Sequence, residues 1–316
     1  MNLLFIIDPL ETLKIEKDTS FLMMREAQHR RHQIWVATPK EIKFLGDKVV
    51  VNAQQLLIND ESENWYEVTE SKDLISPNLD CIIMRKDPPF DMEYVYSTYL
   101  LEALENEGCR VFNRPQSIRD FNEKLAITKY PQFIAPSLVT ADLTAIKSFI
   151  KNHKEVVLKP LDGMGGSSVF RSRPDDPNLG VILETLTELG CRTIMVQKFI
   201  PQISAGDKRV LLIDGEPVPY SLARIPQGSD HRGNLAAGGR GVAMALTARE
   251  REISNALGQE LSAKGLLLVG LDIIGDYLTE INVTSPTCMR EIQEQTGFDV
   301  PKMFIDSIEK HVGEKF

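Results

Sequence analysis

The sequence predicts a chain of mixed class, α/β in its first third and built from strands, hairpins and helices beyond it. Two observations carry this. Short apolar runs alternate with helical periods as far as residue 112. Further on, strand-like runs come in pairs joined by glycine turns, at Asp214-Gly215 and again near Gly275.

Residues 3–7 form a continuous apolar run, the pattern of a strand covered on both faces. Asp18, Thr19 and Ser20 offer caps for a helix over 21–30, where Phe21, Met24 and Gln28 mark successive turns. Residues 34–37 and Cys81–Met84 return as strands. Arg85-Lys86-Asp87-Pro88-Pro89 must be a loop, because consecutive prolines stop regular pairing. Residues 94–107 have a helical period ending at Gly108, and Val111-Phe112 is a short strand. This rhythm predicts a small parallel sheet. No G-x-G-x-x-G follows the first strand, which argues against a dinucleotide-binding domain and an NAD-dependent oxidoreductase. A helical stretch over 117–129 ends before Pro131 and Pro136, which separate the first unit from the second. Strand 155–159 runs into a glycine loop, and helix 179–189 precedes strand 193–197. After Pro201 come strands 208–213 and 218–223, a loop-like stretch over 227–241, helix 247–263 and a closing hairpin.

The chain has 316 residues, 42% hydrophobic and 26% charged, enough for a sizeable core. A formal net charge of -9 argues against nucleic acid or an anionic membrane as partner. It leaves room for anionic nucleotides in a cleft where basic groups are focused. The opening apolar run has no basic residues before it and no small-residue cleavage site, so it reads as a buried strand and not a signal peptide. No apolar stretch is long enough to span a bilayer. Cys81, Cys109, Cys191 and Cys288 are scattered, which predicts neither a disulfide framework nor a zinc site and fits a cytoplasmic setting.

Four constellations bear on chemistry. In 156–168, Lys159 ends an apolar strand and Gly163, Gly165 and Gly166 let the backbone turn tightly with its N–H groups exposed. Ser167 and Ser168 add donors. Such a loop can wrap phosphates, although no Walker A lysine follows the glycines. The alternative is a plain hairpin turn, but a lysine in a buried strand needs an anion. In 268–285, a two-residue turn at Gly275-Asp276 would set Asp272 opposite Thr279. A three-residue turn that includes Tyr277 would set it opposite Glu280. Only the second register puts Leu271, Ile273, Ile281 and Val283 on one face and Asp272, Glu280 and Asn282 on the other. Two carboxylates and an amide oxygen suit Mg²⁺, with nucleotide phosphates completing the shell; the alternative is a solvated polar face. Lys124, Lys208, Arg209, Arg224 and Arg232 form the third set, with Arg209 and Arg224 in strands beside apolar residues, where arginine usually clamps a carboxylate or phosphate; taken singly each reads as a surface or salt-bridged residue, and it is their occurrence together with the oxygen-bearing face that points to an anion site. Fourth, the glycine-rich stretch 225–241 around Arg232 has the length of a lid that shields a reactive intermediate, or of a surface loop. The histidines His29, His32, His153, His231 and His311 show no metal spacing, and Cys288 reads as a packing residue.

Several segments resemble the bacterial glutathione synthetases: M-R-K-D-P-P-F (84–90), N-E-K-L (122–125), L-K-P-L-D-G-M-G-G (158–166), D-K-R-V-L (207–211), A-R-I-P-Q-G (223–228), R-G-N-L-A-A-G-G-R-G (232–241) and G-L-D-I-I-G-D-Y-L-T-E-I-N-V-T-S-P-T-C (270–288). The resemblance spans the chain. It implies an α/β and α+β architecture, an ATP-grasp fold preceded by a Rossmann-like pre-ATP-grasp domain. The implied units are a substrate-binding domain over 1–121, a central subdomain over 122–200 and a C-terminal subdomain over 201–316 that carries the lid and the carboxylate hairpin. ATP would lie between the last two. Lys124 and Lys159 match phosphate-contacting lysines, and the glycine loop with Ser167 would cover the phosphates. Gln197, Lys198, Phe199 and Ile200 match the strand edge that receives adenine, and Asp207 a residue of the nucleotide site. Asp272, Glu280 and Asn282 match ligands of Mg²⁺, with Mn²⁺ as the alternative ion, and Asn282 is also expected near substrate. Arg209, Arg224 and Arg232 match positions that meet phosphate or substrate, and Arg85 one near the dipeptide. The implied reaction joins γ-glutamylcysteine to glycine at the expense of ATP, in a cytoplasmic homotetramer. Two rivals are a ligase for another carboxylate and amine, and an ATP-sensing module that consumes nothing.

Overall fold

The computed structural model describes residues 1–59, 64–227 and 238–313. Its first unit runs β1 (Asn2–Ile6), α1 (Thr19–His29), β2 (Gln33–Ala37), β3 (Ile42–Leu45), β4 (Lys48–Ile58), β5 (Tyr66–Leu74), β6 (Cys81–Met84), α2 (Met92–Asn106) and β7 (Arg110–Phe112). The sheet order is β3-β4-β2-β1-β6-β7, with β5 paired to β4. Strands β2, β1, β6 and β7 are parallel, as the βαβ rhythm requires. Strands β3, β4 and β5 add antiparallel pairs, so the expected small parallel sheet is one half of a mixed one. β5 escapes sequence reading because it is exposed along nearly its whole length and carries no apolar run. Asp18 caps α1 by accepting from the Phe21 amide at 2.7 Å.

The helix expected over 117–129 is broken. α3 (Pro115–Asp120) stops where Phe121 leaves helical geometry, and a short 3₁₀ turn, Leu125–Lys129, follows. Asn122 shapes the break: its side-chain oxygen accepts from the amides of Lys124 and Leu125 at 3.1 and 2.9 Å.

The second unit contains β8 (Ser137–Thr140), α4 (Leu143–His153), β9 (Val156–Pro160), β10 (Phe170–Ser172), α5 (Leu179–Thr187) and β11 (Ile194–Lys198), in an antiparallel sheet ordered β10-β9-β11-β8. The third contains β12 (Asp207–Ile213), β13 (Glu216–Ile225), β14 (Arg240–Ala245), α6 (Ala248–Ala263), β15 (Leu268–Ile274) and β16 (Tyr277–Asn282), ordered β14-β13-β12-β15-β16. The loop expected over 225–241 is shorter at both ends, because Arg224 pairs with Gly241 and Ile225 with Arg240. Its centre, including Arg232 and His231, lies outside the described residues.

The hairpin does not close the chain. α7 (Met289–Thr296) and α8 (Val300–Gly313) follow, and α8 returns to the first unit. There Arg30 on its Nη1 meets Asp306 at 2.7 Å and Glu309 at 2.9 Å. Phe5 and Phe21 of the first unit, Leu211 of β12 and Phe304 of α8 consequently share one apolar core. Cys81, Cys109 and Cys288 are buried free thiols, and Cys191 is exposed. No helix among the described residues is long and apolar enough to cross a membrane.

Candidate active site

A cavity of about 750 Å³ opens between the second and third sheets, with Asp87 and Pro88 of the first unit on its rim. Strand pairing assembles its charges. The β12–β15 register sets Arg209 opposite Asp272, and the β12–β13 register sets Asp207 opposite Arg224. Arg209 donates from Nε to Asp272 Oδ1 at 2.5 Å and from Nη2 to Oδ2 at 3.0 Å. Arg224 Nη2 lies 2.8 Å from Asp272 Oδ2 and 2.6 Å from Asp207 Oδ2. Arg209 and Arg224 line the cavity, while Asp272 is buried behind them with both oxygens engaged. Burial works against ionisation of Asp272, but the two guanidiniums outweigh it and hold the carboxyl well below the usual carboxylate range. Asp207 is pushed up to about 6 by burial and by the Asp272 and Glu280 charges, against the pull of Arg224. Its Oδ1 is buried without a hydrogen-bond partner among the described residues.

The carboxylate hairpin turns in two residues, Gly275-Asp276, and not in three. Ile274 faces Tyr277 and Ile273 faces Leu278; a bulge at Thr279 then shifts the register so that Asp272 faces Glu280. Thr279 Oγ1 donates to the Asp272 carbonyl at 3.0 Å across the bulge. The sorting of side chains inferred from the sequence is thus present, reached by a different route. Leu271, Ile273, Ile281 and Val283 are buried, and Glu280 and Asn282 line the cavity.

Two lysines converge on Glu280. Lys159 Nζ lies 3.7 Å and Lys124 Nζ 3.8 Å from its Oε1. β9 delivers Lys159. The turn that carries Lys124 is docked on β16, where the Ile281 amide donates to the Glu123 carbonyl at 2.8 Å. Lys124 also donates to Gly163 O at 2.6 Å and is in short contact with the Glu123 carboxylate. Burial depresses the Lys159 ammonium; for Lys124 burial acts the same way, but Glu280 and Glu123 raise it overall. Glu123 is a site residue that sequence reasoning missed. Burial, with the Glu280 charge, pushes its carboxyl up to about 7 despite Lys124. Its only signal was its place beside Lys124 in N-E-K-L.

The donor set suits a hard divalent cation in part. Glu280 offers a carboxylate to the cavity, and Asn282, whose Nδ2 donates to Gly270 O at 3.3 Å, keeps its amide oxygen for a ligand. Asp272 joins them as a ligand only if Arg209 or Arg224 releases one of its oxygens. Among the described residues no group of three or more His, Cys, Asp or Glu is arranged to hold a metal ion, so phosphate oxygens would have to complete the shell.

The remaining expectations divide. Gly163, Gly165 and Gly166 line the cavity; Ser167 does not, and its amide donates back to Met164 O at 3.0 Å. Gln197, Lys198, Phe199 and Ile200 line the far end. β11 is an interior strand there, and the amides of Lys198 and Phe199 already donate to Pro136 O and Glu155 O. A base would have to use other main-chain groups. The Arg171 guanidinium stacks 3.9 Å from the Phe199 ring at this end. Lys208 points away from the cavity and is bound to Glu250 of α6 at 2.6 Å. Arg85 is buried outside the lining of the main cavity, donating to Ser20 Oγ at 3.1 Å, and lines a separate small cavity with Asn113 and Thr284.

Comparison with known proteins agrees with this architecture. The model of the prokaryotic glutathione synthetase N-terminal domain matches residues 1–119, and that of the prokaryotic glutathione synthetase ATP-grasp domain matches 123–297. The glutathione synthetase of Nitrosomonas europaea is 53% identical over 318 aligned positions, covering 100% of this chain and 99% of the relative. That of Ralstonia nicotianae is 51% identical, covering 99% of this chain and 97% of the relative. The D-cycloserine synthetase DcsG superposes with a TM-score of 0.70 at 13% identity, over 98% of this chain and 100% of that one. The ATP-grasp ligase PsnB, complexed with a minimal precursor, gives 0.63 at 15% identity over 98% and 99%. These two show the fold alone. A chain matched from end to end in sequence by these relatives, and folded as an ATP-grasp protein, belongs to the prokaryotic glutathione synthetase family.

Proposed function

We propose that this chain joins the C-terminal carboxylate of γ-glutamylcysteine to the amine of glycine, with ATP converted to ADP and phosphate. The carboxylate takes the γ-phosphoryl group of ATP; the glycine amine then attacks the acyl carbon, the new C–N bond forms, and phosphate leaves with the C–O electron pair. The observation that carries this reading is the meeting of Lys124, Lys159, Arg209, Arg224, Glu280 and Asn282 in one cavity. Such a site can neutralise a triphosphate and a developing oxyanion together, without a side-chain nucleophile.

Lys124 and Lys159 hold phosphate oxygens in line. Arg209 faces the tetrahedral oxyanion, and Arg224 steadies the same carboxylate partner. The residues 197–200 and Arg171 border the adenine end; Asp87 and 284–288 border the substrate end. Glu280 and Asn282, with Asp272 behind them, would hold Mg²⁺, which when bound would neutralise phosphate charge. The three sheets support a division into units 1–121, 122–200 and 201–316. A cytoplasmic location and a homotetramer complete the reading.

The test is a coupled assay of ADP release and peptide formation with ATP, γ-glutamylcysteine and glycine each omitted in turn. Product is expected only when all are present. Faster turnover with another dipeptide or amine would assign a different ligase, and ATP binding without consumption would assign a sensor.

A further inference from the structure

The wall of the cavity formed by 284–288 has no strand or helix of its own between β16 and α7. Its α7 end is anchored in the core that Cys288 and Met289 share with Phe21, and its β16 end is held to the first unit by polar side chains. Asn113, which follows β7 and is 5% exposed, supplies the main tie. Its Nδ2 donates to Leu268 O and to Val283 O, both at 2.7 Å, and its Oδ1 accepts from the Leu268 amide at 3.0 Å. Both amide hydrogens are used, on groups that β-pairing leaves at the hairpin ends. Leu268 opens β15 and Val283 follows β16, so one side chain of the first unit grips both strands that carry Asp272 and Glu280. A second tie lies nearer the cavity: Ser285 Oγ donates to Asp87 in a short contact. Asp87 in turn donates its amide to Asp8 Oδ2 at 2.9 Å, and Lys86 pairs with Asp8 at 2.8 Å.

We propose that Asn113 is a positioning residue for the reaction. Lying outside the lining of the main cavity, it sets the spacing between the first-unit rim at Asp87-Pro88 and the wall 284–288, and so the place of the dipeptide carboxylate before the phosphoryl group. The inference rests on the ligase reading above for the identity of the substrate at that end. Other first-unit contacts with the third unit lie away from the β16 end of the wall: the Arg114 amide donates to Gly265 O at 3.0 Å, Ser117 Oγ to Lys264 O at 2.5 Å, and α1 packs on α7 and α8.

Replacing Asn113 by Ala leaves two carbonyls and one amide unpaired at the hairpin ends. A displacement of about 1 Å at a site of this kind costs up to about 100-fold in rate. For Asn113→Ala the expected result is a rise of about tenfold or more in KM for γ-glutamylcysteine, a KM for ATP within about twofold of wild type, and more than one ADP released per peptide. A purely structural role would reduce the amount of active enzyme, lowering kcat while leaving both KM values and the coupling ratio unchanged. Wild-type KM and coupling in a folded Asn113→Ala protein would overturn the proposal. If that variant does not fold, Asn113→Ser, which shortens the side chain and can keep at most part of the polar tie, decides by the same readouts. Amide hydrogen exchange over 283–288 in the full chain is measured alongside and should quicken there ahead of the core strands. Should wild type form no peptide, the ligase reading fails on its own, and the exchange result still decides whether Asn113 holds the wall: unchanged exchange sinks it.

Discussion

At Asp272 two guanidiniums face one buried carboxylate, and removing that charge has consequences that removing Glu280 does not. Asp272→Asn leaves Arg209 and Arg224 without their shared counter-charge in a dry site, which costs about 3–5 kcal/mol of stability when a buried pair is broken from one side. Glu280 is partly exposed and stands 3.7 and 3.8 Å from its lysines, beyond hydrogen-bond reach. Glu280→Gln is therefore expected to abolish nearly all turnover while moving the thermal midpoint little. Asp272→Asn should lose both turnover and stability. Paired thermal melts and steady-state rates check this, and an Asp272→Asn protein as stable as wild type would show that the arginines find other partners. Arg209 and Arg224 were legible because charged residues inside apolar strands demand an anion. That their first anion is Asp272 was not, since cross-strand partners are set by register.

Among the elements, the β12–β13 hairpin and α6 meet at a place where neither can carry a side chain. A Cβ at Gly258 would lie 2.0 Å from Gly215 O, and Gly215 itself has φ +82° in the turn. Gly258→Ala is expected to force the hairpin off the helix at a cost of about 1–3 kcal/mol or more, typical of overpacking. This contact lies on the helix side of the third sheet, so KM values for ATP and dipeptide should stay near wild type; a melt and a kinetic run on the same preparation test both halves. The turn at Asp214-Gly215 could be read from sequence because Asp-Gly between apolar runs is a strong hairpin signal. The bulge at Thr279 could not. From Asp272–Glu280 onward a two-residue turn with a bulge gives the same facing pairs as a three-residue turn; the two differ only next to the turn, where Ile274 faces Tyr277 and Ile273 faces Leu278. The 117–129 helix failed for a related reason: Asn122 donates to Leu161 O at 3.1 Å, a tertiary contact that competes with helix continuation.

Over the whole molecule, the cleft gathers Glu123, Asp207, Asp272 and Glu280 into one field, and its acid–base balance should appear in global stability. Glu123 in the folded state is pushed to about 7 from 4.5, and Asp207 to about 6 from 3.8. For a raised carboxyl the folded state holds the proton longer than the unfolded one. The stabilisation is complete below the unfolded value and is lost as pH rises through the folded one. Without nucleotide, the thermal midpoint should therefore decline between about pH 4.5 and 7 by an amount that Glu123→Gln reduces. Asp272 has the opposite sign: its depressed carboxyl withdraws stability only as pH falls below its ordinary value of 3.8. Parallel melting curves for wild type and Glu123→Gln across this window would show that Glu123 does not carry the proton.

Local chemistry determined a good deal by itself. Apolar runs gave the inner strands, Asp18 and Gly108 marked helix ends, and the alternation of Leu271, Asp272 and Ile273 sorted one hairpin into a dry face and an oxygen-bearing face. These follow from periodicity and capping, which act over a few neighbouring residues. Tertiary structure decided which charges meet. It put Lys208 on Glu250 and away from the cleft, set Arg209 and Arg224 on Asp272, pushed Glu123 toward neutrality, and brought Asn113 onto a hairpin 155 residues further along the chain. Pairing across sheets and the loss of water depend on what folding brings together, and neither leaves a mark in the local order of residues.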